Sequence, residues 1–220
     1  MKVIIFDTET TGVIEPEIIE AAWLFFDGNT EPTSYVERFL PDKEISIGAM
    51  ATHHIIPDDL KLCRKSAEFK FPEVDFVVGH NIDFDWKAAG SPDVKRICTL
   101  ALCRWLFPEV DSHSQSAMIY HLFPKDQARE KLQGAHSALT DVQNCYMLLK
   151  RLLDILQERG VLAREWGALW SVSETARVPT VMTFGKHKGT LIKDVPADYK
   201  RWLLGQSDID PYLIKAIREV

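Results

Sequence analysis

The stretch Lys2-Val3-Ile4-Ile5-Phe6-Asp7-Thr8-Glu9-Thr10-Thr11-Gly12 opens the chain with an apolar run that stops abruptly at two carboxylates one residue apart. Four consecutive apolar residues bounded by polar ones predict a strand buried on both faces. Alternate residues of a strand point to the same side, so Asp7 and Glu9 share one face at its C-terminal end. Carboxylates held so close at the mouth of an apolar core repel one another, which raises a pKa or demands a counter-cation. A hard divalent cation answers that demand, although a D-x-E pattern taken alone equally describes a strand entering a polar turn. Gly12 then permits a positive φ or a close backbone approach just past the pair.

Working outward, Glu17 to Phe26 and Ser34 to Leu40 read as two further strands. The turn signal Asp27-Gly28-Asn29-Thr30 between them predicts an antiparallel hairpin. Asp58 and Asp59 are expected to begin a helix reaching Ala67. Phe76 to Gly79 is a short apolar run of the buried, parallel kind, and it delivers His80 and Asn81 to the sheet edge. Asn81 is expected to cap a helix running to Ala89, and Lys95 to Cys98 to form the last strand. Helices are expected over Thr99 to Leu106, Ser114 to Leu122 and Ser137 to Glu158, the last with apolar residues three or four apart from Ala138 to Leu156. A polar, Trp-rich stretch precedes a change of texture at Val178-Pro179. The expected organisation is therefore a main domain over 1–160, a linker over 161–178 and a small module over 179–220, too small to fold securely alone.

The 220 residues are 46% hydrophobic, enough for one sizeable core. No apolar run is long enough to span a bilayer and no signal-peptide pattern opens the chain, so the expected address is cytoplasmic, with no membrane partner. Cys63, Cys98, Cys103 and Cys145 form no C-x-x-C pair and sit among apolar residues, as reduced core thiols do. The net charge of −6 argues against nucleic acid only until bound metal is counted. From Pro179 onward the balance is +2, against −8 for everything before it.

Two later segments give the opening pair its meaning. Asp85 lies in His80-Asn81-Ile82-Asp83-Phe84-Asp85 and Asp141 in His136-Ser137-Ala138-Leu139-Thr140-Asp141, each one turn into an expected helix. Four acids at element ends, without clustered Cys or His, suit magnesium or manganese rather than zinc. Two such ions can clamp the attacking and leaving oxygens of a phosphoryl displacement, and His136 is placed to take a proton from water. Asp83 is assigned to solvent, Glu20 to a hydrogen-bonded structural role, and His80 and Asn81 to bracing the turn.

These three motifs, D-T-E-T-T-G, H-N-x-x-F-D and H-x-x-x-x-D, resemble those of the DnaQ-like 3′–5′ exonucleases of the four-acids-plus-histidine subgroup. The likeness covers Lys2 to about Leu156. Thr183-Phe184-Gly185-Lys186-His187-Lys188-Gly189 and the residues after it look like the C-terminal extension of the exonuclease X group. The resemblance implies an α/β, ribonuclease H-like fold: a five-stranded mixed sheet flanked by helices, with a small C-terminal appendage. It implies Asp7, Glu9, Asp85 and Asp141 as ligands of two Mg2+ ions, with Mn2+ able to substitute, and His136 as base. It further implies substrate contacts at Thr8, Thr10, Gly12, Val13, Ile14, His53 and Phe84, with Val13 and Ile14 packing against the terminal base. The implied partner is a DNA 3′ end, single-stranded or frayed, in a repair setting, and the chain could pair as a homodimer. An exoribonuclease of the oligoribonuclease or ribonuclease T type, a catalytically inactive nucleic-acid-binding module and a metallophosphatase stay open at this point.

Overall fold

The computed structural model describes residues 1–28, 31–134, 136–207 and 209–220. The opening run forms strand β1 (Val3–Thr10), in which Val3, Ile4, Ile5 and Phe6 are essentially inaccessible to solvent. It is central because its apolar residues need cover on both faces. β2 (Ile18–Phe26) and β3 (Thr33–Leu40) run antiparallel beside it. The turn expected to join them falls partly on residues 29 and 30, outside the described residues. On the other side of β1, β5 (Phe76–Gly79) and β6 (Lys95–Cys98) add in parallel.

Among the described residues the sheet has six strands, in the order β4-β3-β2-β1-β5-β6, rather than five. The extra one, β4 (Arg64–Lys65), is two exposed residues paired in parallel to Phe39 and Leu40 at the end of β3. It displaces the helix expected from Asp58 to Ala67. A short 3-10 turn over Pro57–Leu60 carries Asp58 and Asp59, and a second covers Ser66–Glu68. Leu60 is buried in a satellite cluster with Ile19, Ile45 and Ile55, so burial of one leucine wins over helix propagation.

Helices α1 (Ile47–His53), α2 (Asp83–Ala88), α3 (Thr99–Leu106), α4 (Gln115–Leu122), α5 (Lys125–Lys131) and α6 (Ala138–Glu158) flank the sheet. α6 lies across β1 and β2 and buries Ala138, Val142, Cys145, Leu149, Leu152 and Leu156, the stripe read from its sequence. Within 161–178, Trp166–Arg177 is a helix, α7, packed on α3 and β6, and its Leu169 and Ala176 join the main core. Residues after Pro179 form helices α8 (Ala197–Leu204) and α9 (Pro211–Arg218) around a separate small core of Met182, Ile192, Val195, Leu203, Leu213, Ala216 and Ile217. Val181 and Leu191 pair across this module in a single antiparallel bridge.

Two local expectations are corrected. Asn81 does not cap α2 through its side chain: it adopts a left-handed backbone, φ 68°, and its carbonyl accepts from the Phe84 N–H at 3.0 Å. Asn is one of the few residues that tolerates this region, and the turn there must reverse sharply. Asp83 does not face open solvent either. Its two carboxylate oxygens each meet a guanidinium at 2.5 Å, one of Arg96 on β6 and the other of Arg177, whose side chain is only 4% exposed at the end of α7. An arginine that buried needs a partner, and Asp83 supplies it. All four cysteines are free thiols, as expected.

Candidate active site

β1 delivers Asp7 and Glu9 to one side of its C-terminal end, and α6 enters the same space with Asp141 in its first turn. Asp7, Glu9 and Asp141 bring carboxylate oxygens within 4.8 Å of one another. Acids far apart along the chain thus converge, as oxygen ligands of a hard cation do. Burial raises the carboxyl of Asp7 well above the ordinary range, reinforced by the charges of Asp85, Asp141, Glu9 and Glu20. The same combination, burial first and then Asp141, pushes Glu9 up to about 8. Asp141 is also raised by burial, against hydrogen bonds from the His136 N–H and Gln115 and the favourable charge of the His136 imidazole.

Asp85 stands beside this trio rather than within it. It is 5% exposed, and its Oδ1 accepts from the Thr8 N–H at 2.9 Å and the Thr8 hydroxyl at 2.7 Å. Burial raises it to about 7 even though these two bonds favour its charged form. Its charge is the largest of those acting on Asp7, so the four acids form one electrostatic unit.

His136 lies in the loop entering α6 with φ 69°, exposed, and its backbone N–H donates to Asp141 Oδ2 at 3.0 Å. The loop and the Asp141 carboxylate are therefore tied together. Behind them Glu20, opposite Glu9 in the β1–β2 register, accepts from Arg38 Nε at 2.7 Å and from the Ala138 N–H at 3.1 Å. Glu20 caps the first turn of α6 from another strand and so is the hydrogen-bonded structural acid the sequence indicated. Gln115 is a residue sequence reading missed. From α4 its amide donates to Asp141 Oδ1 at 3.2 Å and to the Asp141 carbonyl at 3.1 Å. A lone glutamine in a polar helix face carries no signal of such a contact.

Around the acids, Thr10 donates its hydroxyl to the Gly12 carbonyl at 2.9 Å, and the Ser46 N–H donates to the Thr11 carbonyl at 2.9 Å. Gly12 has φ 155°, and a Cβ there would lie 3.2 Å from Ser46 Oγ, so the turn admits no side chain without a shift. Val13 and Ile14 then project into solvent, 81% and 83% exposed. Two apolar side chains so open, next to an acid cluster, form a surface suited to a flat apolar ligand face. Phe84 is half-buried, Thr8 is committed to Asp85, and His53 is buried at the end of α1 with Nδ1 accepting from the Ile55 N–H at 3.0 Å. His80 bridges Thr99 Oγ1 at 3.0 Å and the His113 carbonyl at 2.8 Å, and burial lowers it to about 4, consistent with a bracing role.

The chain is 31% identical over 212 residues, 93% of its length and 91% of the relative's, to exodeoxyribonuclease 10 of Escherichia coli (strain K12). It belongs to the exonuclease X family. A solved structure of exonuclease X in complex with 5′ overhanging duplex DNA superimposes with a TM-score of 0.56 at 26% identity, covering 76% of this chain and 99% of that one. Escherichia coli exonuclease I in complex with a dA16 oligonucleotide shares the fold, with a TM-score of 0.55 at 17% identity, covering 83% of this chain and 46% of that one. No family model matches.

Proposed function

We propose that this protein is a metal-dependent 3′–5′ exodeoxyribonuclease that releases nucleoside 5′-monophosphates from DNA 3′ ends. The observation that carries the reading is the convergence of Asp7, Glu9 and Asp141 within 4.8 Å, beside the His136 loop, in a chain of the exonuclease X family. Asp7, Glu9, Asp141 and, through its charge, Asp85 fit a pair of magnesium ions, since the donor set is all oxygen. Bound there, such ions offset the charge of the carboxylates and of the phosphate, and raise the acidity of a coordinated water. His136 accepts the proton of the attacking water on an imidazole nitrogen as the water oxygen bonds to phosphorus and the P–O3′ bond breaks, the 3′-oxygen of the shortened strand leaving and taking a proton from solvent. Val13 and Ile14 pack against the terminal base, a contact indifferent to base identity. Thr10 and Gly12 hold the turn that presents them. Binding governed by phosphates and one stacked base is weakly selective for sequence.

The direct test is product analysis on 5′-labelled single-stranded DNA with magnesium. A ladder shortening from the 3′ end, with mononucleotide 5′-phosphates released, is expected. Internal cuts, or faster shortening of an RNA oligomer run alongside, would overturn the assignment.

Metal binding should also depend on pH. Glu9 titrates at about 8 and Asp85 at about 7 in the metal-free protein, so near neutrality a cation must displace protons to bind. For carboxyls raised this way, the stability owed to protonation is full below the ordinary carboxyl range. It is lost as pH rises through 7 to 8 in the absence of metal. Magnesium affinity measured calorimetrically is expected to rise about tenfold per pH unit between roughly pH 6 and 7.5 for one displaced proton. An affinity flat over that range would contradict the electrostatic account.

A further inference from the structure

The small module after Pro179 shelters its own core yet leaves large aromatic side chains in water. Phe184 is 45% exposed and Trp202 55% exposed, although Met182 and Leu203, next to them in the chain or nearly so, are buried. Trp202 heads an ordered row whose other members, Tyr199 and His187, are half-buried. His187 lies edge-on to Tyr199 with centroids 4.6 Å apart, and Tyr199 and Trp202, three residues apart on α8, are 5.3 Å apart at 38°. The three rings make one continuous row from the 185–189 turn along the helix.

The turn is seated against that row. Gly185 has φ 70°, and a Cβ at that position would sit 2.7 Å from the Tyr199 hydroxyl. Only glycine lets the backbone come this close, so the turn's Lys186 and Lys188 are held at one end of the aromatic row. Across residues 184–204 the cations are Lys186, Lys188, Lys193, Lys200 and Arg201 and the acids are Asp194 and Asp198, a balance of +3. Among the described residues no ion pair engages any of these five cations, and Lys200 Nζ donates only to the Lys193 carbonyl at 3.4 Å. Everything before Pro179 carries −8 in sum. A cationic, aromatic face on an otherwise acidic chain confines a polyanion to this side of the module.

We propose that the 184–189 turn and α8 form a second nucleic-acid-binding surface, separate from the acid cluster, that takes single-stranded DNA. Bases stack on Trp202 and Tyr199, and Lys186, Lys188 and Arg201 meet the phosphates. The exposed Trp202 ring, continued by the half-buried Tyr199, decides for a single strand, because a duplex keeps its base faces inside and offers a side surface only phosphate and groove edges. Stacking supplies affinity without sequence reading. The bound strand is the exonuclease's own substrate if the reading above holds, and in that sense the proposal rests on it. Strand binding by this surface does not itself require turnover.

The test uses the full chain with a chelator present, so that nothing is cut, and fluorescence anisotropy with oligothymidylates of about 30 and about 5 nucleotides. Wild type is expected to bind the long oligomer about tenfold or more tightly than the short one. Trp202→Ala is expected to remove most of that increment with the melting temperature unchanged. Lys186→Glu with Lys188→Glu should do the same and also lower the dependence of log affinity on log salt by about 1.4, two phosphate contacts at about 0.7 each. Wild-type binding of the long oligomer by both variants would overturn the proposal, as would tighter binding of a blunt duplex of equal length lost in the same variants. Failure of the exonuclease reading is seen separately, as no product with magnesium while the length-dependent binding persists.

Discussion

Asp7→Asn is expected to lower DNA hydrolysis by about four orders of magnitude while raising the melting temperature of the metal-free protein at pH 8. The two effects have one origin. Asp7 follows the inaccessible run Val3 to Phe6 of β1, among Glu9, Asp85, Asp141 and Glu20, and burial together with those charges keeps its carboxyl protonated well above the ordinary range. Ionising it without a cation costs folding energy. Asparagine keeps the shape and removes the charge, so at pH 8 the metal-free variant escapes that cost. A relief of even 1 kcal/mol appears as about 2–4 °C for a chain of this size. Near pH 5, closer to the ordinary carboxyl range, keeping that proton on folding costs less, and the gap should narrow. With magnesium the order reverses, because asparagine contributes no charge to a divalent cation. The loss of rate follows from the several kcal/mol that charge neutralisation contributes at a phosphoryl centre, each tenfold corresponding to about 1.4 kcal/mol. Calorimetric melting at the two pH values and a 5′-labelled oligomer assay check both halves. Activity within about tenfold of wild type, or a lower melting point at pH 8 in chelator, would exclude Asp7 from the metal site.

Much of this arrangement is legible in the chain because local chemistry and tertiary environment agree there. Val3 to Phe6 and Phe76 to Val78 are apolar on both sides of the strand, and only a sheet interior accommodates that. The stripe of α6 likewise has one consistent partner surface. Acid positions at element ends are equally readable, since each follows the last apolar residue of its strand or the first turn of its helix. What eluded sequence reading depends on partners distant in the chain. Arg64 and Lys65 become a strand only because the end of β3 offers them a free edge. That Trp166 and Trp170 pack on the main core, rather than on the small module, likewise depends on distant partners: Trp166 lies 5.9 Å from the Phe26 ring, and Lys95 sits over Trp170. Asp83 reads as a solvent acid until Arg177, 94 residues later, is seen beneath it. Asp85 reads as one of the ligands, and the Thr8 hydroxyl that holds it beside them has no sequence signature.

His136→Ala is expected to slow hydrolysis by about 10²–10⁴, the range for a single general base, with magnesium affinity little changed. The side chain belongs to an exposed loop, yet the backbone beneath it is fixed. Its N–H is bound to Asp141, and Glu20 holds the Ala138 N–H two residues on. A histidine at φ 69° sits in a region that costs a non-glycine residue about 1–3 kcal/mol, and such strain persists only where surrounding contacts enforce it. The loop therefore holds the imidazole near Asp141 at an energetic cost, the placement that the proposed role of proton acceptor calls for. Alanine keeps the N–H and so keeps the loop, isolating loss of the ring from loss of the metal ligand. His136→Gly should lose the same rate but melt higher, because glycine relieves the strained φ. Added imidazole should recover part of the activity of either variant if the ring acts by proton transfer, and none if it merely positions Asp141. Near-wild-type turnover by His136→Ala with magnesium present would assign the proton to another acceptor, and the loop would then have to be explained by Asp141 alone.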